Sequence, residues 1–212
     1  MRSARLLWPT HLENPRAIVL VLHGGKSRSR ERVRAWQGAV LRMVPFARAV
    51  ATAGGGAVSV AALRYAVRGW NGAAASPLED ARLALDQIAA RHPDVPIGLL
   101  GHSMGGRVAL HLADDGRIAA IAALAPWVEP RDRPRWHPGL HVLVMHGVRD
   151  QMTSPRASKA MADAMAALGA DVTYEAVPRE GHAMLQAANR WHTESADFLV
   201  RHLLPEAPNA DS

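Results

Sequence analysis

The sequence contains no cysteine. Disulfide scaffolds, thiolate metal sites and cysteine nucleophiles are therefore excluded, and any catalysis must use oxygen and nitrogen groups. Aromatic residues make up only 5% of the chain, and no apolar run approaches the roughly 20 residues that a membrane-spanning helix needs. With 49% hydrophobic and 21% charged residues, the composition is that of a globular protein rather than a disordered or fibrous one.

Lysine is also scarce, since Lys26 and Lys159 are the only lysines among 25 basic residues. This preference for arginine, together with frequent alanine, is typical of a GC-rich bacterial genome. The net charge is +6, but the arginines are spread along the chain and accompany no helix-turn-helix, zinc-finger or RNA-binding motif. We expect no nucleic-acid or membrane partner, no cofactor, no metal ion and a cytoplasmic location. The sequence leaves the oligomeric state open.

The length of 212 residues fits one domain of ordinary size. Near the N-terminus, Pro9 and polar residues stand where a secretory signal has its apolar core, so we expect this segment to belong to the mature protein. No internal repeat or linker interrupts the body of the chain. We predict a single domain over residues 1–204 and a flexible tail over residues 205–212.

Short, almost fully apolar segments alternate with helical patterns along the chain. The apolar segments predict strands that are buried on both faces of a sheet; they cover residues 17–22, 57–63, 97–100, 118–124, 140–145 and 172–176. Helices are predicted at 76–91 and 154–168, and near 41–53, 104–114 and 184–203. Ser76, Pro77 and Glu79 predict an N-cap, a first-turn proline and a capping box. The alternation predicts an α/β fold with a mostly parallel central sheet of about six to seven strands flanked by helices.

The most informative segment is Gly101-His102-Ser103-Met104-Gly105-Gly106, which joins a predicted strand to a predicted helix. This G-x-S-x-G pattern is typical of a nucleophile elbow, in which a strained turn projects a serine hydroxyl out of the sheet. Glycines at the first and last positions of the pattern allow the helix and the strand to approach closely. The alternative is a glycine-rich turn with an incidental serine. The strand-to-helix context favours the elbow and predicts Ser103 as a nucleophile.

A serine hydroxyl is a weak nucleophile until a histidine accepts its proton and a carboxylate orients that histidine. Asp150 follows the predicted strand at 140–145, and His182 follows the one at 172–176. Both residues therefore lie at the same edge of the sheet as Ser103, where parallel sheets bind ligands. The alternatives are a surface or capping carboxylate and a solvent-facing loop histidine. We predict His182 as the general base and Asp150 as its orienting acid.

The turn His23-Gly24-Gly25 directly follows the predicted strand at 17–22. Acyl transfer builds negative charge on a carbonyl oxygen, and each backbone N–H group aimed at that oxygen stabilises it by about 3 kcal/mol. We predict that the N–H groups of Gly25 and Met104 form such an oxyanion hole. The alternative is that the turn only ends the strand.

Four segments, taken in chain order, resemble the α/β-hydrolase superfamily: the strand with its His-Gly-Gly turn, the segment 101–106, His146-Gly147-x-x-Asp150, and Gly181-His182. The likeness extends from about residue 17 to residue 204. It is nearest to small single-domain serine esterases and dienelactone-hydrolase-like proteins. The resemblance implies an α/β-hydrolase fold and the same three catalytic roles that the residues predict.

The connection over residues 126–139 is rich in proline and stands where larger members of the superfamily insert a helical cap. We therefore expect an α/β-hydrolase fold without a helical cap and with an open site. The predicted function is hydrolysis of a carboxylic ester, thioester or lactone of a small to medium substrate through an acyl-enzyme intermediate; amide cleavage uses the same machinery. The alternative from another class is a non-catalytic ligand-binding protein on the same fold.

Five further residues are candidates for substrate binding. Trp36, Trp70 and Trp127 follow the carboxyl edge of the sheet and are candidates for an acyl pocket, with packing under loops as the alternative. Arg28 belongs to a basic loop over residues 26–34, and Arg68 follows the second predicted strand. Either arginine is a candidate to hold a substrate carboxylate or phosphate, with a solvated basic loop as the alternative.

Overall fold

A computed structural model describes residues 3–204 of the chain; the predicted tail at 205–212 lies outside the described residues. Seven strands form one sheet in the order β1-β3-β2-β4-β5-β6-β7. Strand β1 pairs antiparallel with β3, and all other neighbours are parallel. The strands are β1 (Arg5–Thr10), β2 (Ala17–Leu22), β3 (Val58–Arg64), β4 (Ile97–His102), β5 (Ile118–Leu124), β6 (His141–Gly147) and β7 (Asp171–Val177).

Helices cover both faces of this sheet. The helices are α1 (Gly38–Leu41), α2 (Met43–Ala53), α3 (Ser76–Arg91), α4 (Met104–His111), α5 (Pro155–Ala167) and α6 (Ala188–Leu203). Helices α2 and α6 contribute to one apolar core, and α3, α4 and α5 contribute to the other. In β2 the residues Ile18, Leu20 and Leu22 enter the second core, while the residues between them enter the first. This explains why the strand is apolar throughout.

The structure confirms the predicted α/β class and sheet, and adds β1, which the sequence analysis did not predict. One local detail was wrong: Ser76 is the first residue of α3, not its N-cap, and no side chain caps this helix. A single turn of 3-10 helix at 72–74 precedes α3, which begins one residue earlier than predicted. Ala75, with φ 40, therefore takes the N-cap position. At α5, by contrast, Ser154 accepts a hydrogen bond from the Ala157 N–H.

The connection between β5 and β6 contains no helix in the described structure. The expected absence of a helical cap is therefore a feature of this fold. Strands β2 to β7 are parallel, so the loops that follow them meet at one edge. Over residues 3–204, no helix is long and apolar enough to span a bilayer, and no set of three or more histidine and acidic side chains is placed to hold a metal ion.

Candidate active site

Ser103 lies in a strained turn between the end of β4 and the start of α4. Its backbone angles, φ 56 and ψ −114, fall in a region that residues other than glycine rarely adopt. The turn is tight: a Cβ at Gly101 would lie 2.3 Å from the Gly105 carbonyl oxygen, and one at Gly105 would lie 2.1 Å from that of Leu22. These two glycines therefore allow the close approach that the elbow pattern predicts.

The structure brings Ser103, His182 and Asp150 together in one hydrogen-bonded chain. His182 Nε2 lies 3.0 Å from Ser103 Oγ, and His182 Nδ1 lies 2.7 Å from Asp150 Oδ2. Since an ionised carboxylate can only accept, Nδ1 carries the hydrogen and the Ser103 hydroxyl donates to Nε2. This arrangement leaves Nε2 ready to take the serine proton.

Donors surround the Asp150 carboxylate. Its Oδ1 accepts from the backbone N–H groups of Met152 and Thr153 at 2.8 and 3.0 Å. Its Oδ2 faces the Thr153 hydroxyl at 2.8 Å and His146 Nε2 at 3.2 Å, in addition to His182. Burial by itself would raise the pKa of Asp150, but hydrogen bonds from His146, His182 and the two amides outweigh it and hold the pKa well below its usual range. The carboxyl group is therefore ionised.

A second serine–histidine pair, which was not predicted from the sequence, shares this carboxylate. His146 Nδ1 lies 2.8 Å from Ser158 Oγ, on the side of the ring opposite Asp150. Both residues are completely buried. The spacing of His146 and Asp150 in the His-Gly-x-x-Asp motif is a local signal for their contact, whereas Ser158 reaches the cluster only through the packing of α5.

The loop that carries His182 is fixed from several sides. His102 Nε2 donates to the backbone carbonyl of His182 at 3.2 Å, and Arg42 donates to the carbonyl of the next residue. The buried Glu180 side chain accepts from Trp191 Nε1 at 3.0 Å. Burial lowers the pKa of His102 to about 3, so this ring is neutral and donates without adding charge beside His182. These contacts limit the freedom of the His182 loop.

The His-Gly-Gly turn after β2 is also anchored. His23 Nδ1 donates to the Gly24 carbonyl at 2.6 Å, and His23 Nε2 accepts from the Tyr65 N–H at 3.4 Å. A Cβ at Gly25 would lie 2.4 Å from the Met104 side chain. The Gly25 N–H has no acceptor among residues 3–204, and the Met104 N–H opens α4 and has no intrahelical acceptor. Both donors predicted for the oxyanion hole are therefore available.

Three of the five candidate substrate-binding residues line one cleft of about 410 Å³. These are Arg28, Trp70 and Trp127, and Arg107 and Arg131 line the cleft with them. Neither of the last two was predicted from the sequence. Arg107 falls inside the helical pattern after the elbow and Arg131 inside the proline-rich connection, so no local motif sets them apart.

Trp36 and Arg68 do not line this cleft. Trp36 is 68% exposed, and the guanidinium of Arg34 stacks on its ring at 5.3 Å. Arg68 forms an ion pair with Glu31 at 2.5 Å, so a carboxylate of the protein already balances its charge. The structure therefore gives neither side chain a place in the cleft, although the Arg68 backbone carbonyl packs against Gly25.

Family profiles match most of the chain. The profile described as serine aminopeptidase, S33, matches residues 13–141, which is more than half of the sequence. The profile of the prolyl oligopeptidase family matches residues 128–206. No curated protein matches the sequence significantly.

Solved structures share the fold at low sequence identity. XC6422 from Xanthomonas campestris, an α/β serine hydrolase without a lid, has a TM-score of 0.69 at 19% identity and covers 97% of this chain and 91% of its own. ATU1826 from Agrobacterium tumefaciens has a TM-score of 0.70 at 18% identity, covering 96% and 92%. Est1E from Butyrivibrio proteoclasticus, with ferulic acid bound, has a TM-score of 0.67 at 15% identity, covering 94% and 95%. The chain belongs to the serine aminopeptidase S33 family within the α/β-hydrolase superfamily.

Proposed function

We propose that this serine hydrolase cleaves carboxylic esters of small to medium size through an acyl-enzyme intermediate. Ser103 is the nucleophile, His182 the general base and Asp150 the acid that orients His182. The observation that carries this proposal is the chain of hydrogen bonds from Ser103 Oγ through the imidazole to Asp150, at 3.0 and 2.7 Å, on a strained strand-to-helix turn.

The reaction follows from this geometry. As Ser103 Oγ bonds to the ester carbonyl carbon, its proton passes to His182 Nε2, and negative charge develops on the carbonyl oxygen. The Gly25 and Met104 N–H groups are the donors for that oxygen. When the tetrahedral intermediate collapses, the bond to the alcohol oxygen breaks and His182 returns the proton to it. In the second half of the reaction, a water molecule gives its proton to His182 Nε2 and attacks the acyl carbonyl carbon. The bond to Ser103 Oγ then breaks, His182 returns the proton to Ser103, and the acid is released.

The second serine–histidine pair on Asp150 does not fit this role. The side chain of His146 is 0% exposed, and so is Ser158, so a substrate carbonyl cannot reach either. The His182 side chain is 14% exposed, and Ser103 is only partly buried at the open edge of the sheet. Accessibility therefore favours the Ser103 pair as the reacting groups.

The charged side chains of the cleft favour ester cleavage over aminopeptidase activity, although the matched family is described as serine aminopeptidase. An aminopeptidase must hold the free ammonium group of its substrate, for which a carboxylate is the natural partner. Three arginines line the cleft instead, and its lining carboxylate, Glu129, is paired with Arg107 at 2.9 Å. A substrate ammonium group would meet repulsion there.

A fluorophosphonate probe and a matched substrate pair test this proposal. We expect the probe to label one serine per chain, and p-nitrophenyl esters of short acids to be hydrolysed much faster than alanine p-nitroanilide. Labelling is read by mass spectrometry of the intact protein, and turnover by release of the chromophore. Absence of both labelling and turnover would indicate a non-catalytic binding protein, and faster cleavage of the anilide would indicate a peptidase.

His146→Ala is expected to destabilise the protein strongly. The substitution empties a fully buried site and removes one hydrogen-bond partner from Ser158 Oγ and one from Asp150 Oδ2. We expect the free energy of unfolding to fall by about 2–4 kcal/mol. Urea denaturation followed by circular dichroism measures this change.

His141→Ala is the matched control, because His141 opens the same strand but is partly exposed and pairs with the exposed Asp171. We expect this variant to lose no more than about 1 kcal/mol. Equal losses in the two variants would contradict a structural role of the buried His146 contacts.

A further inference from the structure

The cleft adjoins the segments that flank the elbow, and neither Ser103 nor His182 is among the residues that line it. The backbone N–H of Trp127 donates to the Ser103 carbonyl at 3.0 Å, so the segment that carries this wall is attached to the elbow. The other wall follows the His-Gly-Gly turn: a Cβ at Gly24 would lie 3.4 Å from Ser103 Cβ, and Arg28 comes four residues later. Two walls of the cleft are therefore attached to the segments on either side of Ser103.

The position of His182 decides which part of an ester the cleft faces. Because His182 returns its proton to the alcohol oxygen, the alcohol must leave on the His182 side of Ser103. His182 and Asp150 follow β7 and β6, on one side of β4 in the sheet. Five of the nine lining residues, including Arg28 and Trp70, follow β2 and β3, on the other side of β4, whereas Trp127 and Arg131 follow β5, between β4 and the strands that lead to Asp150 and His182. The larger part of the lining thus lies away from His182, on the side where the acyl chain would extend.

The loop that carries Arg28 is held firmly at the mouth of the cleft. The backbone N–H of Lys26 donates to the Arg68 carbonyl at 2.8 Å, and the backbone N–H of Trp70 donates to the Lys26 carbonyl at 2.9 Å. The side-chain oxygen of Asn71 accepts from the Ser29 N–H at 2.9 Å. These bonds on either side of Arg28 make the loop part of the cleft wall, so little ordering is needed when a ligand binds.

Arg107 fixes the inner wall. Its guanidinium carbon lies 4.1 Å from the Trp70 ring centroid and 4.5 Å from that of Trp127, within cation–π range. The same guanidinium pairs with Glu129 at 2.9 Å and with Asp132 at 2.7 Å. Arg107 thus holds both indoles in place, and its charge is neutralised by the two carboxylates.

Two arginines remain to bind a ligand. Arg28 and Arg131 line the cleft, both are exposed, and neither forms an ion pair or side-chain hydrogen bond with any residue of the described part of the chain. The nearby carboxylates are already taken by Arg107. The cleft therefore combines an apolar indole wall with an excess of positive charge at its mouth.

From this arrangement we infer that the cleft binds an acyl chain that ends in a carboxylate. The chain packs against Trp70 and Trp127, and Arg28 and Arg131 bind the carboxylate through charge-assisted hydrogen bonds. The preferred substrates are thus half-esters of dicarboxylic acids. This inference rests on the proposed function, since it assigns the acyl side of the ester.

Two esters that differ only at the end of the chain test the inference: mono-p-nitrophenyl adipate and p-nitrophenyl hexanoate. We expect kcat/KM to be higher for the adipate ester by about tenfold or more. In Arg28→Ala/Arg131→Ala the ratio of the two kcat/KM values should fall to about one, because neither ester then has an arginine at the mouth of the cleft to bind its chain end. Added salt should reduce the advantage in the unaltered protein.

Arg48→Ala/Arg82→Ala is the matched control, because it removes the same charge from exposed positions on α2 and α3. We expect it to keep the full preference for the adipate ester. Equal kcat/KM for the two esters, or an advantage that survives in Arg28→Ala/Arg131→Ala, would overturn the inference while the proposed function stands. Absence of turnover of both esters would overturn the proposed function and the inference with it.

Discussion

Ser103→Ala is expected to lower kcat for p-nitrophenyl esters by about 10⁴-fold or more. The substitution removes the oxygen that forms the acyl-enzyme, and no other hydroxyl occupies its place on the elbow. Residual turnover would come only from the Gly25 and Met104 donors and from His182 acting on water. Fluorophosphonate labelling should be lost in the same variant, which separates loss of the nucleophile from weaker substrate binding.

Ser158→Ala is the informative control, because this serine also contacts a histidine that contacts Asp150. Its hydroxyl is buried and bonds to His146 and to backbone carbonyls. We expect this variant to lose about 1–2 kcal/mol of stability, as for a buried hydrogen bond, and to keep both labelling and turnover. If Ser158→Ala abolished labelling and Ser103→Ala did not, the nucleophile would be Ser158 and the assignment of Ser103 would be wrong.

The residues that meet at the candidate site could be predicted from sequence because each is tied to the end of a strand. Ser103 lies between β4 and α4, and the glycines around it record the close approach of two backbones. Asp150 and His182 follow β6 and β7, and parallel strands place their carboxyl ends at one edge. Apolar runs in the sequence were therefore enough to place three distant residues side by side.

Strand β1 could not be predicted in the same way. It lies at the edge of the sheet, where its residues alternate between exposed and partly buried positions, and it contains Pro9. An edge strand needs no continuous apolar run and tolerates proline, so its pattern resembles that of a loop. Its antiparallel pairing with β3 is a tertiary contact that no local signal records.

The environment of the site depends on contacts between distant segments. Ser158 reaches His146 from α5, and Arg107 reaches Trp70 and Trp127 from α4. Each of these residues has an ordinary helical position in the sequence. Ser158 contacts the Asp150 network, and Arg107 supports the cleft, only because their helices pack on the sheet.

Loss of His182 should be nearly as damaging as loss of Ser103. Without the imidazole, Ser103 Oγ has no group to take its proton, so we expect His182→Ala to lower kcat by about 10⁴-fold or more. The double variant Ser103→Ala/His182→Ala should cost little more than either single one, because the two residues act as a unit. Single-turnover kinetics on one activated ester measures all three. Additive losses in kcat would contradict the proposed pairing.

His192→Ala and His202→Ala serve as controls. Both residues lie in α6, where His192 packs on Phe46 and His202 packs on His141. Neither ring contacts the three proposed catalytic residues, so both variants should keep the activity of the unaltered protein. Loss of turnover without unfolding in either control would place the base elsewhere.

Acidification should separate the roles of His182 and Asp150. Protonated His182 cannot accept the serine proton, so kcat/KM should fall as the pH is lowered. Burial by itself would raise the pKa of Asp150, but hydrogen bonds from His146, His182 and two amides outweigh it and hold the pKa below its usual range, so the carboxylate stays ionised where a free aspartate would be protonated. A plot of log kcat/KM against pH should therefore fall with a slope of about one, for a single proton.

A group with a lowered pKa contributes stability above its unfolded pKa, about 3.9 for aspartate, and loses it only as the pH falls through the folded value. The loss of activity should thus be reversible and precede any change in circular dichroism. A slope of two, or unfolding in step with inactivation, would mean that Asp150 is protonated in the pH range where activity is lost.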